Sequence, residues 1–146
     1  MDLMRTEDKI AWLSQYRIAQ HERRYLKKLI AKIEAQSSAI SSRLDGMPRG
    51  NRGIHDAMAE SVVDLEATRQ KLQELEAEIV RAMRQIVEWI STIPDTYTRA
   101  IFMRRYISNW TWLRIGVDLE RDETTVRWHH NKYLESCDSI PESIRG

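Results

Sequence analysis

The chain has 146 residues and a formal net charge of +1; 31% of its residues are charged, and it contains only five Gly and three Pro. Many charged residues and few helix breakers favour long helices over sheet, so we expect an all-α protein of one domain, or of a small domain with a helical extension. The small net charge excludes a global attraction to polyanions, and any contact with nucleic acid must come from a local basic patch.

Cysteine usage and hydropathy indicate the compartment in which the chain works. Cys137 is the one cysteine, which excludes an internal disulfide and fits a reducing compartment. No apolar run approaches the roughly 18 residues of a membrane helix, and the residues after Met1 lack an apolar signal segment. We therefore expect a soluble, cytoplasmic chain that has no membrane partner.

The first predicted element is a long helix that begins near Thr6, where Glu7 and Asp8 would lie at the positive end of the helix dipole. One stripe of residues then recurs at alternating steps of three and four, the spacing of a coiled-coil seam. This stripe comprises Tyr16, Ala19, Arg23, Leu26, Ile30, Ile33, Ser37, Ile40 and Leu44. Three Gly and one Pro in residues 45–53 end the helix.

A second long helix follows with a more regular stripe, formed by Met58, Ser61, Leu65, Thr68, Leu72, Leu75, Ile79, Ala82, Ile86, Trp89 and Ile93. Two helices of nearly equal length joined by a short loop predict a long antiparallel hairpin over residues 1–93. A dimer whose seams meet between chains satisfies the same pattern. Apolar residues outside the seams, among them Ile18, Tyr25 and Ile90, are suited to packing against a partner.

The last part of the chain, residues 94–146, is predicted to form a second domain. Pro94 ends the long helix, because proline cannot continue its hydrogen-bond ladder. Residues 95–106 then keep apolar side chains at helical spacing. Ser108 and Asn109 end this short helix, since Asn readily adopts left-handed turn geometry.

Two further short helices complete a predicted three-helix unit. Thr111 can cap a helix over residues 112–119, and after a turn Asp122 can cap a third helix that ends near Ser136. Two helices joined by a short turn and braced by another form a helix-turn-helix, whose last helix enters a major groove. One face of that helix carries Val126, His129, His130 and Tyr133, and the opposite face carries Thr124, Arg127, Trp128 and Asn131.

The same residues resemble region 4 of sigma-70-like factors, through Arg105, Tyr106, Ile107, Trp112, Ile115, Gly116, Leu119, Asp122, Thr125 and Val126. The whole chain is similar to small phage proteins of the RinA/ArpU type, which are late-gene transcriptional regulators with a helical N-terminal half. The resemblance implies a phage or prophage regulator that binds double-stranded promoter DNA in the cytoplasm of a bacterial host. The chain departs from the family pattern at Arg114, Glu120 and Arg121.

The outer face of the third helix predicts contacts with base edges. Arg can pair with guanine and Asn with adenine, while Thr or Trp can contact a thymine methyl group. The predicted base contacts are therefore Thr124, Arg127, Trp128 and Asn131. The predicted phosphate contacts are Arg99, Arg104, Arg105, Arg114, Arg121 and Lys132, for each of which a solvated basic surface is the alternative interpretation.

Two features favour an alternative function. Trp128 suits a protein interface as well as it suits DNA, because a large exposed aromatic side chain can anchor either partner. Glu120, Asp122 and Glu123 place negative charge where the third helix would approach phosphates. The alternative is a structural or interaction protein, such as a small terminase-like DNA-packaging adaptor.

The sequence predicts neither an enzyme nor a cofactor. His129 and His130 have no neighbouring ligands at metal spacing, so we expect helix-packing residues and no metal site. No phosphate-binding loop and no pairing of a nucleophile with a base stands out. We expect a DNA-binding regulator in which residues 1–93 mediate homo-oligomerisation or contact with RNA polymerase.

Overall fold

A computed structural model describes residues 4–44 and 52–137, with side chains for residues 4–39 and 64–137. The helices are α1 (Thr6–Leu13), α2 (Gln15–Leu44), α3 (Arg52–Ser91), α4 (Thr96–Phe102), α5 (Trp112–Asp118) and α6 (Glu123–Ser136), and a π-helical turn (Met103–Ile107) extends α4. The described residues contain no strand, which confirms the predicted all-α class. None of their helices is long and apolar enough to cross a membrane.

The predicted single N-terminal helix is divided at Ser14, which corrects the expected continuous helix. Ser14 has φ −83° and ψ −6°, and its N–H donates to the carbonyl of Ile10 at 2.9 Å. The helix ladder therefore continues through the break with only a local distortion. The division has a physical reason, because Trp12 and Leu13 of α1 are buried in a core instead of continuing the seam of α2.

Residues 20–44 and 52–78 cluster into one compact unit that contains most of α2 and α3. Leu26, Thr68 and Leu75 are buried, and all three stand on the predicted seams. Two ion pairs also join the helices, Arg23 with Glu76 at 3.3 Å and Arg69 with Glu34 at 2.7 Å. All four side chains are substantially exposed, so each pair contributes at most about 1 kcal/mol.

Part of the predicted hairpin lies outside the described residues. Of the predicted loop over residues 45–53, residues 45–51 are outside, and α3 begins at Arg52. The seam also has members whose side chains are not described, namely Ile40, Leu44, Met58 and Ser61.

Residues 4–19 and 79–137 cluster into the other compact unit. Trp89 stands near the centre of its larger core, with its ring centroid 6.3 Å from that of Trp12 and 5.7 Å from that of Phe102. Aromatic contacts at such distances add to the stability gained by burying the rings. The buried members of this core are Trp12, Leu13, Ile86, Trp89, Ile90, Ile93, Phe102, Tyr106 and Leu134.

The predicted boundary between residues 93 and 94 falls inside this second unit. The larger core contains apolar side chains from α1 and from the C-terminal segment of α3. Three short helices alone could not build a core of this size. Ile90, which was expected to face a partner, is fully buried in the core of the unit, and that prediction is wrong. Ile18 and Tyr25, by contrast, are 60% and 64% exposed.

Candidate nucleic-acid interface

Asp95 begins the series of three short helices as the N-cap of α4. Its carboxylate accepts hydrogen bonds from the Thr98 hydroxyl at 2.6 Å and from the Thr98 N–H at 3.0 Å. These bonds lower the pKa of Asp95 from its ordinary value. At the other end, the Ser108 N–H donates to the Met103 carbonyl at 3.1 Å, five residues back. The predicted helix over residues 95–106 is confirmed, with a π-helical end that the periodicity did not indicate.

The start of α5 follows the predicted turn chemistry. Asn109 adopts the left-handed conformation, with φ 61°. The Thr111 hydroxyl accepts a hydrogen bond from the Arg114 N–H at 3.2 Å and so caps the helix. Both predictions made at these residues are confirmed.

A tight turn of residues 119–122 joins α5 to α6. Glu120 is left-handed, with φ 54°, although it is neither Gly nor Asn. The Arg121 N–H donates to the Gly116 carbonyl at 2.8 Å. A Cβ atom at Gly116 would lie 2.7 Å from the Arg121 carbonyl oxygen, so this close approach requires glycine. Asp122 occupies the predicted N-cap position of α6 but makes no side-chain cap bond there.

A small core holds α4, α5 and α6 together. Ile101, Ile115 and Val126, one from each helix, are fully buried against one another. Trp110 and Trp112 pack at the edge of this core as partly buried side chains. The position of α6 is therefore fixed by contacts on its inner face.

The outer face of α6 carries the four predicted base contacts as exposed side chains, namely Thr124, Arg127, Trp128 and Asn131. Trp128 is 57% exposed, and its nearest aromatic neighbour is His129, at 5.0 Å between ring centroids. The Arg127 guanidinium lies 3.3 Å from the Glu123 carboxylate, one turn earlier. This contact offsets part of the negative charge at the start of the helix.

Two of the predicted phosphate contacts are engaged inside the protein. Arg99 donates to the Ile93 carbonyl at 2.8 Å. Arg104 pairs with Asp118 at 2.7 Å and also donates to the Ala100 carbonyl at 3.2 Å. Both side chains therefore form hydrogen bonds that connect neighbouring segments of the protein.

Three other predicted phosphate contacts are exposed and lie against aromatic rings. The Arg114 guanidinium lies 4.0 Å from the ring centroid of Trp110, and that of Arg121 lies 5.6 Å from the ring of Tyr97. The Lys132 ammonium lies 5.9 Å from the ring of Trp128. These cation–π contacts orient the cations without neutralising them, so their charge stays available to an anion.

Arg105, another of the predicted phosphate contacts, is partly buried. Its guanidinium lies 4.4 Å from the ring centroid of Trp112 and donates to the Trp110 carbonyl at 3.1 Å. Burial lowers the pKa of Arg105, and the like charge of Arg17 lowers it further. Arg105 and Arg17 thus lie close enough for their positive charges to repel.

His130 packs in the core, as predicted, and it connects the core to the outer face of α6. Its Nε2 lies 2.5 Å from the Tyr106 hydroxyl, and its Nδ1 lies 2.9 Å from Oδ1 of Asn131. A neutral ring satisfies both contacts if Nδ1–H donates to Asn131 and Nε2 accepts from Tyr106. Burial lowers the pKa of His130 to about 4. The contact also orients the Asn131 amide, which was predicted to contact a base.

Lys9 is a positioning residue that sequence reasoning missed. It is only 3% exposed, and its ammonium donates to the carbonyl of Leu134, at 2.7 Å, and to the carbonyl of Cys137. A cation at these carbonyls is favourable, because the C-terminal end of a helix carries negative partial charge. Lys9 therefore fixes the end of α6 from more than 100 residues away, and its own sequence neighbourhood gives no signal of this.

A cavity of about 290 Å³ lies beside the outer face of α6. It brings together two of the predicted contacts, Arg105 and Arg127, with Arg17 from α2, which sequence reasoning also missed. Other lining residues are Ser14, Trp112 and Asn131. No pattern near Arg17 predicts this, because the cavity depends on packing between segments far apart in the chain.

Comparison of this chain with protein-family models, with curated proteins and with solved structures finds no match.

Proposed function

We propose that this chain is a DNA-binding transcriptional regulator, encoded by a phage or prophage, in which α5 and α6 act as a helix-turn-helix. One observation carries the proposal, which is the set of exposed side chains on α6, namely Thr124, Arg127, Trp128 and Asn131. Their helix is held from its inner face, so the outer face is left for a major groove. Arg114, Arg121 and Lys132 supply exposed positive charge for phosphates.

We further propose that α2 and α3 form an antiparallel hairpin that mediates self-association or contact with RNA polymerase. The order of the ion pairs supports it, because the later residue of α2, Glu34, pairs with the earlier residue of α3, Arg69. Exposed Ile18 and Tyr25 offer apolar contact area on α2. Self-association would join two α6 helices and so raise the effective concentration of a weak DNA module.

Duplex DNA binding by the full chain tests this proposal. Fluorescence anisotropy at low salt, with fragments that cover host and phage promoters, is expected to show binding that weakens steeply as salt is added. Arg127→Ala should weaken the preferred site by about 1–3 kcal/mol and relax its sequence preference, since a base contact carries discrimination. Arg24→Ala, which removes an exposed arginine of α2, is the matched control and should leave affinity within about twofold. Absence of binding to every fragment at low salt would rule the proposal out.

The second candidate function is a protein-interaction module, such as a DNA-packaging adaptor. It is favoured by exposed apolar side chains on the short helices, where Leu113 is 63%, Val117 74% and Trp128 57% exposed. Leu113 and Val117 are four residues apart and so share one face of α5. Trp128→Ala separates the two functions. Loss of a protein complex with unchanged DNA affinity would favour the adaptor, and weakened DNA binding would favour the regulator.

A further inference from the structure

Three arginines converge on the cavity beside α6, and no residue that lines it is acidic. Arg17 comes from the first turn of α2, Arg105 from the π-helical turn and Arg127 from α6. We call this site the arginine cavity. Like charges gathered in one concave site repel one another, and this repulsion is relieved when an anion binds between them.

Most of this charge is uncompensated by the described residues. No carboxylate among them pairs with Arg17 or Arg105, and Arg127 has one exposed contact, to Glu123 at 3.3 Å. Arg105 donates one hydrogen bond to the Trp110 carbonyl. It keeps further donors, because a guanidinium carries five N–H groups. The lowered pKa of Arg105, caused first by burial and then by the charge of Arg17, agrees with this clustering.

The rest of the lining supplies neutral hydrogen-bonding groups and an aromatic wall. Ser14 is buried and lines the cavity. Asn131 is held by His130, which leaves its amide N–H groups free to donate. Trp112 forms the wall on which Arg105 is stacked, so the guanidinium is held in place before any ligand arrives.

We infer that the arginine cavity binds a phosphate group. Guanidinium groups match phosphate oxygens through paired hydrogen bonds, and three of them can surround a tetrahedral dianion better than a planar carboxylate. At about 290 Å³ the cavity exceeds the roughly 30 Å³ of one water many times, so the phosphate can carry a covalently attached group. The source of the phosphate is either the backbone of DNA held against α6 or a free phosphorylated small molecule.

The test uses the full chain, and inorganic phosphate is the first probe. Isothermal titration at constant ionic strength, with acetate as the matched anion, is expected to show saturable phosphate binding and weaker acetate binding. Arg17→Gln should weaken phosphate binding by about tenfold, since a charge-assisted contact is lost. The phosphate affinity of Arg17→Lys should lie between those of the unmodified chain and Arg17→Gln, because lysine keeps the charge and loses the paired donors. Arg24→Gln, on the same helix, is the control for loss of one exposed arginine and should bind as the unmodified chain does.

The second probe is duplex DNA, with circular dichroism to establish that each variant is folded. If Arg17→Gln weakens DNA binding and lowers the slope of log affinity against log salt by about one, the phosphate belongs to the DNA backbone. If the chain binds phosphate in a way that depends on Arg17 but binds no DNA, the phosphate site is supported. The proposed function as a DNA-binding regulator is then ruled out. The inference is overturned if folded Arg17→Gln matches the unmodified chain with both probes.

Discussion

His130 has two roles that the sequence could predict only in part. Its position among apolar residues of α6 predicts a packing residue, and the structure buries it against Phe102, at 4.9 Å between ring centroids, and Trp112, at 4.7 Å. Its hydrogen bonds to Tyr106 and Asn131 require partners from separate elements in one place. They could not be predicted, because no local spacing determines which hydroxyl will lie beside the ring.

The buried imidazole makes stability depend on pH in a defined window. The pKa of His130 in the folded protein is about 4, against an ordinary value of 6.5, because burial and the charge of Arg105 disfavour the cation. Between these values the unfolded chain binds a proton that the folded chain does not, so stability is greatest above 6.5 and falls towards 4. The loss should reach about 3 kcal/mol, as measured by urea unfolding at a series of pH values.

Two comparisons make this pH prediction specific to His130. His130→Gln should be less stable at neutral pH, and its free energy of unfolding should fall less between pH 6.5 and 4. His21→Gln, which removes an exposed histidine of α2, should keep the full loss. The pKa of Asp95 is lowered from its ordinary value of 3.8, so protonation of this carboxylate reduces stability mainly below pH 3.8 and outside the window. An unchanged slope in His130→Gln would show that other groups cause the pH dependence.

At the scale of elements, α5 and α6 follow local chemistry closely. Thr111 and Asn109 were predicted from capping and turn preferences, and these depend on one or two neighbouring residues. The π-helical turn over Met103–Ile107 was not predicted, because residue spacing cannot distinguish an added residue from an ordinary helix end. Gly116 is buried in α5, and only glycine fits there because a Cβ atom would meet the backbone of the following turn.

Gly116→Ala tests how tightly the turn is built. The new Cβ would lie 2.7 Å from the Arg121 carbonyl oxygen and 3.3 Å from the Glu123 nitrogen, and both are backbone atoms that cannot move alone. We expect a loss of about 1–3 kcal/mol in the free energy of unfolding, in spite of the higher helix propensity of alanine. Gly116→Val should cost more, because it adds further atoms at the same contact.

Val117→Ala provides the matched control for this substitution. Val117 is the next residue of α5 and is 74% exposed, so alanine there should leave stability within about 0.5 kcal/mol. If Gly116→Ala were as stable as Val117→Ala, the turn would have to relax freely. The orientation of α6 would then not depend on the close contact between Gly116 and Arg121.

At the scale of the whole molecule, the all-α class and the seams were predictable from the sequence, whereas contacts between distant segments were not. Seams such as the one that contains Leu26 and Leu75 follow from repeated spacing within one helix. The placement of Lys9 at the end of α6 depends instead on packing between segments more than 100 residues apart. Proline at residue 94 marks the end of a helix, and it does not mark the edge of a core.

Fragments of the chain distinguish the predicted boundary at residues 93 and 94 from the compact unit that the structure shows. A fragment of residues 94–146 lacks Trp12, Leu13, Trp89 and Ile90, which form much of the larger core. We expect it to have little helix and no cooperative thermal transition by circular dichroism.

A fragment of residues 79–146 mixed with a peptide of residues 1–19 should gain helix and unfold cooperatively, because the pair restores that core. Replacing Leu13 by Ala in the peptide should weaken this recovery, whereas Gln15→Ala, at an exposed position, should not. Cooperative unfolding of residues 94–146 alone would mean that the short helices form an independent domain and that α1 merely adds to it.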